Sequence, residues 1–197
     1  MMKLYEPLPV TVEVDGEVFP IETDFRYWVK FEQLLTQKDP EDELLALVYV
    51  LFCGNLPTDL KKGFLALLDF FRLGPEIEGE TGENEASKNT PRAYDLDVDA
   101  ERIFSLFFWE QGMDLFQCPY LHWWKFKALL KYAPTETAFS KVVKIRTIDT
   151  RKMEKTQRNE WNAKKKRYAL EKETVYADAK EAADAYAKRM RERMAKP

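Results

Sequence analysis

Apolar positions are densest between Asp99 and Leu130, in the stretch DAERIFSLFFWEQGMDLFQCPYLHWWKFKALL. Ile103, Phe104, Phe107 and Phe108 recur at helical spacing behind acidic residues that suit a helix N-terminus. Gly112 ends that helix, because glycine takes the left-handed C-terminal position without steric cost. Asp114 to Pro119 makes a turn, and a second helix begins at about Pro119, since proline is tolerated in a first turn. In it Leu121, Trp124 and Ala128 form one stripe, and Trp123, Phe126 and Leu130 another. The neighbours Trp123 and Trp124 point about 100° apart, so burying both requires packing on more than one side. Two helices so joined predict a helical hairpin, which is expected to be the core.

The remaining pattern is simpler. Val10 to Val14 alternates, Asp15-Gly16 is a hairpin turn signal, and Glu17 to Phe19 resumes the strand before Pro20. Asp24 is placed to cap a helix through Leu35, with Trp28, Phe31 and Leu35 on one side. Asp39-Pro40-Glu41-Asp42 starts a helix that carries Leu44, Leu45, Leu47, Val48, Leu51 and Phe52 and stops at Cys53-Gly54-Asn55. Pro57-Thr58-Asp59 starts the next, with Leu60, Phe64, Leu67, Leu68 and Phe71, ending near Gly74. Residues 74–98 are acidic, glycine-containing and poor in large apolar side chains, and read as an inserted loop. Past a turn at Pro134-Thr135, Phe139, Val142, Val143 and Ile145 mark another helix. Near the end, Val175, Ala179, Ala182, Tyr186, Met190 and Met194 form one apolar stripe on a charged helix. The fold class is therefore mainly α: a helical bundle around a central helical hairpin, with a small N-terminal β-hairpin and a projecting C-terminal helix. Residues 1–150 form the body, with the loop at 74–98, and residues 151–197 a charged helical extension.

Charge sharpens the picture. The net charge of −3 conceals 18 Lys+Arg against 9 Asp+Glu in residues 141–197, and 13 against 25 in residues 1–140. A basic tail on an acidic body predicts contact with something acidic, including the body of another copy. At 197 residues and 45% hydrophobic content the chain can bury a real core. It has neither a run of ~18 apolar residues nor a secretory leader pattern, so a cytoplasmic protein without a membrane span is expected. Cys53 and Cys118 make no disulfide framework and read as reduced core residues.

Catalytic chemistry finds little to work with. His122 is the only histidine, and between two aromatic clusters it reads as a hydrogen-bonded core residue, not a general base. One histidine and two distant cysteines do not make a usual zinc site. No GxSxG or phosphate-binding glycine motif occurs. Glu76, Glu78, Glu80 and Glu83 could approach a metal, but they match no calcium-loop pattern and read as a solvated loop. Asp97 and Asp99 sit where a helix N-terminus favours acids. Lys164 to Arg167, flanked by Trp161 and Tyr168, could hold phosphates and stack bases. Glu160, Glu171 and Glu173 surround that cluster, and an overall pI of about 5.5 favours a solvated helix face. No enzyme, cofactor or metal is expected.

Several segments together resemble the bacteriophage gene-product-fifteen family, usually encoded shortly before the tail tape-measure protein. They are Asp24-Phe-Arg26 with Trp28, Phe31-Glu-Gln-Leu-Leu, Asp99-Ala-Glu-Arg-Ile-Phe and Gly112-Met-Asp114-Leu. The most distinctive is Leu121-His122-Trp123-Trp124-Lys-Phe126-Lys-Ala-Leu-Leu, followed by Phe139 to Arg146. Together they cover about residues 8–150. The resemblance implies a siphophage tail-assembly chaperone in the host cytoplasm, which coats the tape-measure protein and helps recruit tail-tube subunits. Two other readings stay open: a structural protein retained in the virion, and a nucleic-acid-binding regulatory factor. On the residues alone, the stripe of Val175, Tyr186, Met190 and Met194 is the candidate protein-binding surface, with self-association as one use.

Overall fold

The computed structural model describes residues 4–36, 41–72, 93–170 and 179–195. The start of the second helix at Asp39-Pro40, most of the acidic stretch with Glu76, Glu78, Glu80 and Glu83, and the side chains of Val175, Ala179 and Met194 lie outside them. Among the described residues the protein is mainly helical with one two-stranded antiparallel hairpin. Contacts group the chain into two units, and neither matches a division at residue 150. One comprises Met1–Glu80, Tyr120–Lys127 and Glu173–Pro197; the other comprises Thr81–Pro119 and Ala128–Lys172.

In the first unit β1 (Thr11–Val14) pairs with β2 (Glu17–Pro20) in the register Val12 to Phe19 and Val14 to Glu17. Asp15 and Gly16 both take positive φ, 53° and 82°, as a tight turn matching strand twist requires. Val14 and Phe19 point inward, and Phe19 meets Phe52 edge-on at 6.0 Å. α1 (Phe25–Thr36) buries Trp28, Phe31 and Leu34, so Leu34 takes the inward place expected of Leu35. α2 (Glu41–Leu51) buries Leu44, Leu45, Val48 and Leu51. Cys53, with φ 51°, belongs to the turn that ends α2 and is exposed, contrary to its expected place in the core. It lies past the end of α2, beyond the side of the helix that Leu44, Val48 and Leu51 bury. Cys118 is half-buried in a second turn.

α3 (Leu60–Phe71) is capped by Asp59, whose carboxylate accepts the Lys61 and Lys62 N–H groups at 3.1 Å. Gly63 is required there, since a Cβ would lie 2.4 Å from the Pro57 ring. α8 (Ala179–Met194) does not project. It lies along α3, burying Ala182, Ala183, Tyr186 and Ala187, with Tyr186 stacked on Phe64 at 4.7 Å. Small alanines let the two helices approach closely, and Ala182 and Tyr186 of the apolar stripe are covered within the chain. Lys61–Asp184 and Arg193–Asp42 ion pairs edge this packing.

The second unit contains α4 (Ala100–Gln111), α6 (Ala138–Thr147) and α7 (Lys155–Arg167), with α6 touching both others. Ile103, Leu106, Phe107, Phe139 and Val142 are buried in it. Gly112 closes α4 at φ 62°, its N–H bonded to the Phe107 carbonyl, and Thr137 caps α6 through the Ser140 N–H. The boundary between units falls within α5 (Trp123–Lys131). A single core around one helical hairpin is thus replaced by two cores, because α4 packs on α6 while the start of α5 packs with α1 and α3. The second helix also begins later than Pro119, because Leu121 and His122 are extended and bridge to Asp24. No helix among the described residues is long and apolar enough to cross a membrane.

Candidate protein-binding surface

The motif residues of the first unit converge on the entry to α5. The Phe25 N–H donates to the Leu121 carbonyl at 2.9 Å, and the Trp123 N–H to the Thr23 carbonyl at 2.8 Å. Asp24 Oδ2 accepts the Leu121 N–H, Asp24 Oδ1 accepts the Arg26 N–H, and both oxygens accept from the Arg26 guanidinium. One carboxylate thereby caps α1 and ties it to α5. His122 caps α5 in turn: Nδ1 accepts the Trp124 N–H at 3.0 Å, while Nε2 donates to the Pro9 carbonyl at 2.9 Å. A carbonyl only accepts, so this pattern selects the neutral tautomer protonated on Nε2. Burial pushes the imidazole pKa below its ordinary value, and nearby Lys125 acts in the same direction.

The tandem tryptophans complete the arrangement. The last carbonyls of a helix have no partner within it. At the end of α3, Trp124 Nε1 donates to the Phe70 carbonyl at 2.8 Å and Trp123 Nε1 to the Phe71 carbonyl at 3.0 Å. Lys127 Nζ adds a second bond to Phe71 at 3.2 Å. Trp28 likewise donates to the Glu22 carbonyl at 2.9 Å, and its ring lies 6.5 Å from that of Trp123. Phe126 stacks on Phe25 at 4.8 Å. The Leu121–Phe126 segment is therefore a joint: its apolar surface fills the core while its polar atoms satisfy two helix ends.

In the second unit the buried carboxylate of Asp99 meets the buried guanidinium of Arg146 through two pairs of atoms. Asp99 also accepts from Arg102 at 3.0 Å and from the Asp95 N–H at 3.1 Å. Arg146 donates further to the Tyr168 carbonyl at 2.7 Å and the Ala93 carbonyl at 3.3 Å. The pair clamps the start of α4, the end of α6 and the end of α7. Asp114 shapes the turn after α4, accepting the Phe116 and Gln117 N–H groups at 2.9 and 3.3 Å. These motif residues hold the protein together rather than form an open site.

The tail candidates are placed differently from expectation. Tyr186 is buried against Phe64, so it is not available to a partner, and Met190 is half-buried. What the sequence pattern did not separate is the outer side of α4. There Phe116, Phe104, Phe108 and Trp109 form a continuous run of rings, with successive centroids 5.3, 5.7 and 5.1 Å apart. Trp109 is 77% exposed and Phe116 84%. Exposed aromatic clusters of this kind mark protein interaction surfaces, where Trp is enriched among energetically dominant residues. Glu101 and Glu110 are exposed on the same helix. The signal available in the sequence was an aromatic surplus: α4 has more rings than its inner side can bury.

Compared with known proteins, the chain matches the family model described as Bacteriophage Gp15 protein over residues 4–170. The match runs past the motif-bearing stretch to include α7. Neither a curated protein nor a solved structure matches the chain.

Proposed function

The chain belongs to the bacteriophage Gp15 family, a phage-related structural or assembly protein, and from this premise we propose that it is a non-enzymatic tail-assembly chaperone. In this role it binds the tape-measure protein in the host cytoplasm and helps bring tail-tube subunits to it. The observation that carries the reading is the family match across residues 4–170. The exposed Trp109–Phe116 ring cluster supports it, because an assembly protein needs a surface that another chain can cover.

Two measurements test the role. Co-expression with the tape-measure protein should give a complex captured through a tag on either chain. Mass spectrometry of purified virions should find this protein absent. Its recovery from virions at stoichiometric levels would make it a structural component instead, and failure to capture the tape-measure protein would remove the chaperone reading.

A further inference from the structure

We propose that the aromatic face of α4 in one copy receives the basic helix α7 of a second copy, giving head-to-tail self-assembly. The inference rests on reading that face as protein-binding and does not depend on the tape-measure protein. Four contiguous rings lie on or beside α4, two of them more than three-quarters exposed. Residues 93–119 carry six acids and a single base, Arg102, whose guanidinium is held by Asp99. Glu101 lies one turn before Phe104 on the same side of the helix, and Glu110 follows Trp109. Ring faces and carboxylates both attract cations. A surface combining them fits a lysine- and arginine-rich helix, whose alkyl stems cover rings while the charged ends reach the acids.

The chain itself contains such a helix. α7 has six Lys or Arg against Glu160 alone, and none of its residues is buried. α7 thus carries a net charge of +5, opposite in sign to the −1 of α4 itself and the −5 of residues 93–119 together. Within one copy α7 is fixed on α6, and the Tyr168 carbonyl that follows it is held by Arg146. The Tyr168 ring also lies 6.0 Å from the guanidinium of Arg102, in the first turn of α4, whereas Trp109 is in its last. This contact between the end of the basic helix and its own α4 therefore lies at the first turn of α4, and not at Trp109. Contact between two different surfaces is heterologous, so it propagates into a ring or filament unless one surface is blocked. Face-to-face pairing of two α4 helices would set acid against acid.

The test uses the purified, nuclease-treated full chain. Light scattering should give a mass well above the monomer at about 0.1 M salt, rising with protein concentration. It should fall toward the monomer at about 1 M, where the screening length drops from about 10 to about 3 Å. A face variant, Trp109→Ser with Phe116→Ser, and a helix variant, Lys164→Glu with Lys166→Glu, change exposed residues; circular dichroism checks that each stays folded. Each variant alone should be monomeric, and a 1:1 mixture should form a capped dimer of twice the monomer mass, since one intact face meets one intact helix. A monomeric wild type at about 0.1 M salt overturns the proposal. So does self-association of the helix variant, or a mixture that stays monomeric. A monomeric wild type whose capture of tape-measure protein needs Trp109 assigns the face to that protein, ending this inference and leaving the chaperone reading intact. Salt-sensitive assembly without tape-measure capture does the reverse.

Discussion

His122 donates through Nε2 to the Pro9 carbonyl and accepts through Nδ1 from the Trp124 N–H. Protonation would set an Nδ1 proton against an N–H donor. The folded-state pKa lies below 6.5, so between that lower value and 6.5 the unfolded chain binds the proton more readily than the folded one. Stability from this group is fully present above pH 6.5 and is lost as pH falls through 6.5 toward the folded value. Urea midpoints measured from pH 7.5 down to 5.5 should therefore decline for the wild type. As His122 is the only histidine, His122→Asn, which can still cap α5, should flatten that slope; an unchanged slope would remove His122 as its source. Asp99 and Arg146 make the second residue-scale prediction. Removing one member of a buried pair strands the other's charge, at a cost of about 3–5 kcal/mol. Arg146→Met should lower the denaturation midpoint accordingly, whereas Asp99→Leu with Arg146→Met should recover part of the loss. An Arg146→Met protein as stable as wild type would show the clamp to be dispensable.

Between elements, the packing of α8 on α3 decides how the C-terminal helix behaves. Tyr186 is fully enclosed, yet its hydroxyl has no hydrogen-bond partner among the described residues, and burial pushes its pKa well above the ordinary phenol value. Its contribution is the ring on Phe64, not the hydroxyl. Tyr186→Phe should match or exceed wild-type stability, because an unpaired buried polar group is a cost. Tyr186→Ala should lose about 3–5 kcal/mol, the range for removing a large buried ring. Thermal melts that ranked Tyr186→Phe with Tyr186→Ala would mean the hydroxyl has a partner. The apolar stripe on α8 was legible in the sequence, but its destination was not. An amphipathic helix has the same periodicity whether its apolar side meets α3 or another chain. The ion pairs along its edge are exposed and worth about 0–1 kcal/mol each, so the buried ring and alanines dominate.

Across the whole molecule, the chain builds two cores from discontinuous segments, leaving one unit at Glu80, re-entering it for Tyr120–Lys127 and again after Lys172. The sequence by itself determined what short-range chemistry controls. Asp15-Gly16 made its turn, Gly112 closed α4 in the left-handed conformation, and Asp59 and Thr137 capped their helices. Each outcome depends on groups within about four residues, where chain geometry leaves few choices. The mainly helical class followed from the same local patterns, and the family was readable because its motif concentrates in Leu121–Phe126. Only the tertiary structure decided what those groups meet. Trp123 and Trp124 answer the carbonyls of Phe71 and Phe70, more than 50 residues away, and Arg146 answers Asp99 across 47. It also decided which side of α4 is covered: Ile103, Leu106 and Phe107 turn inward, and the rings of Phe108 and Trp109 are left outside. Hydrophobic attraction is non-directional, so a pattern specifies that a ring favours burial without specifying the neighbour that buries it.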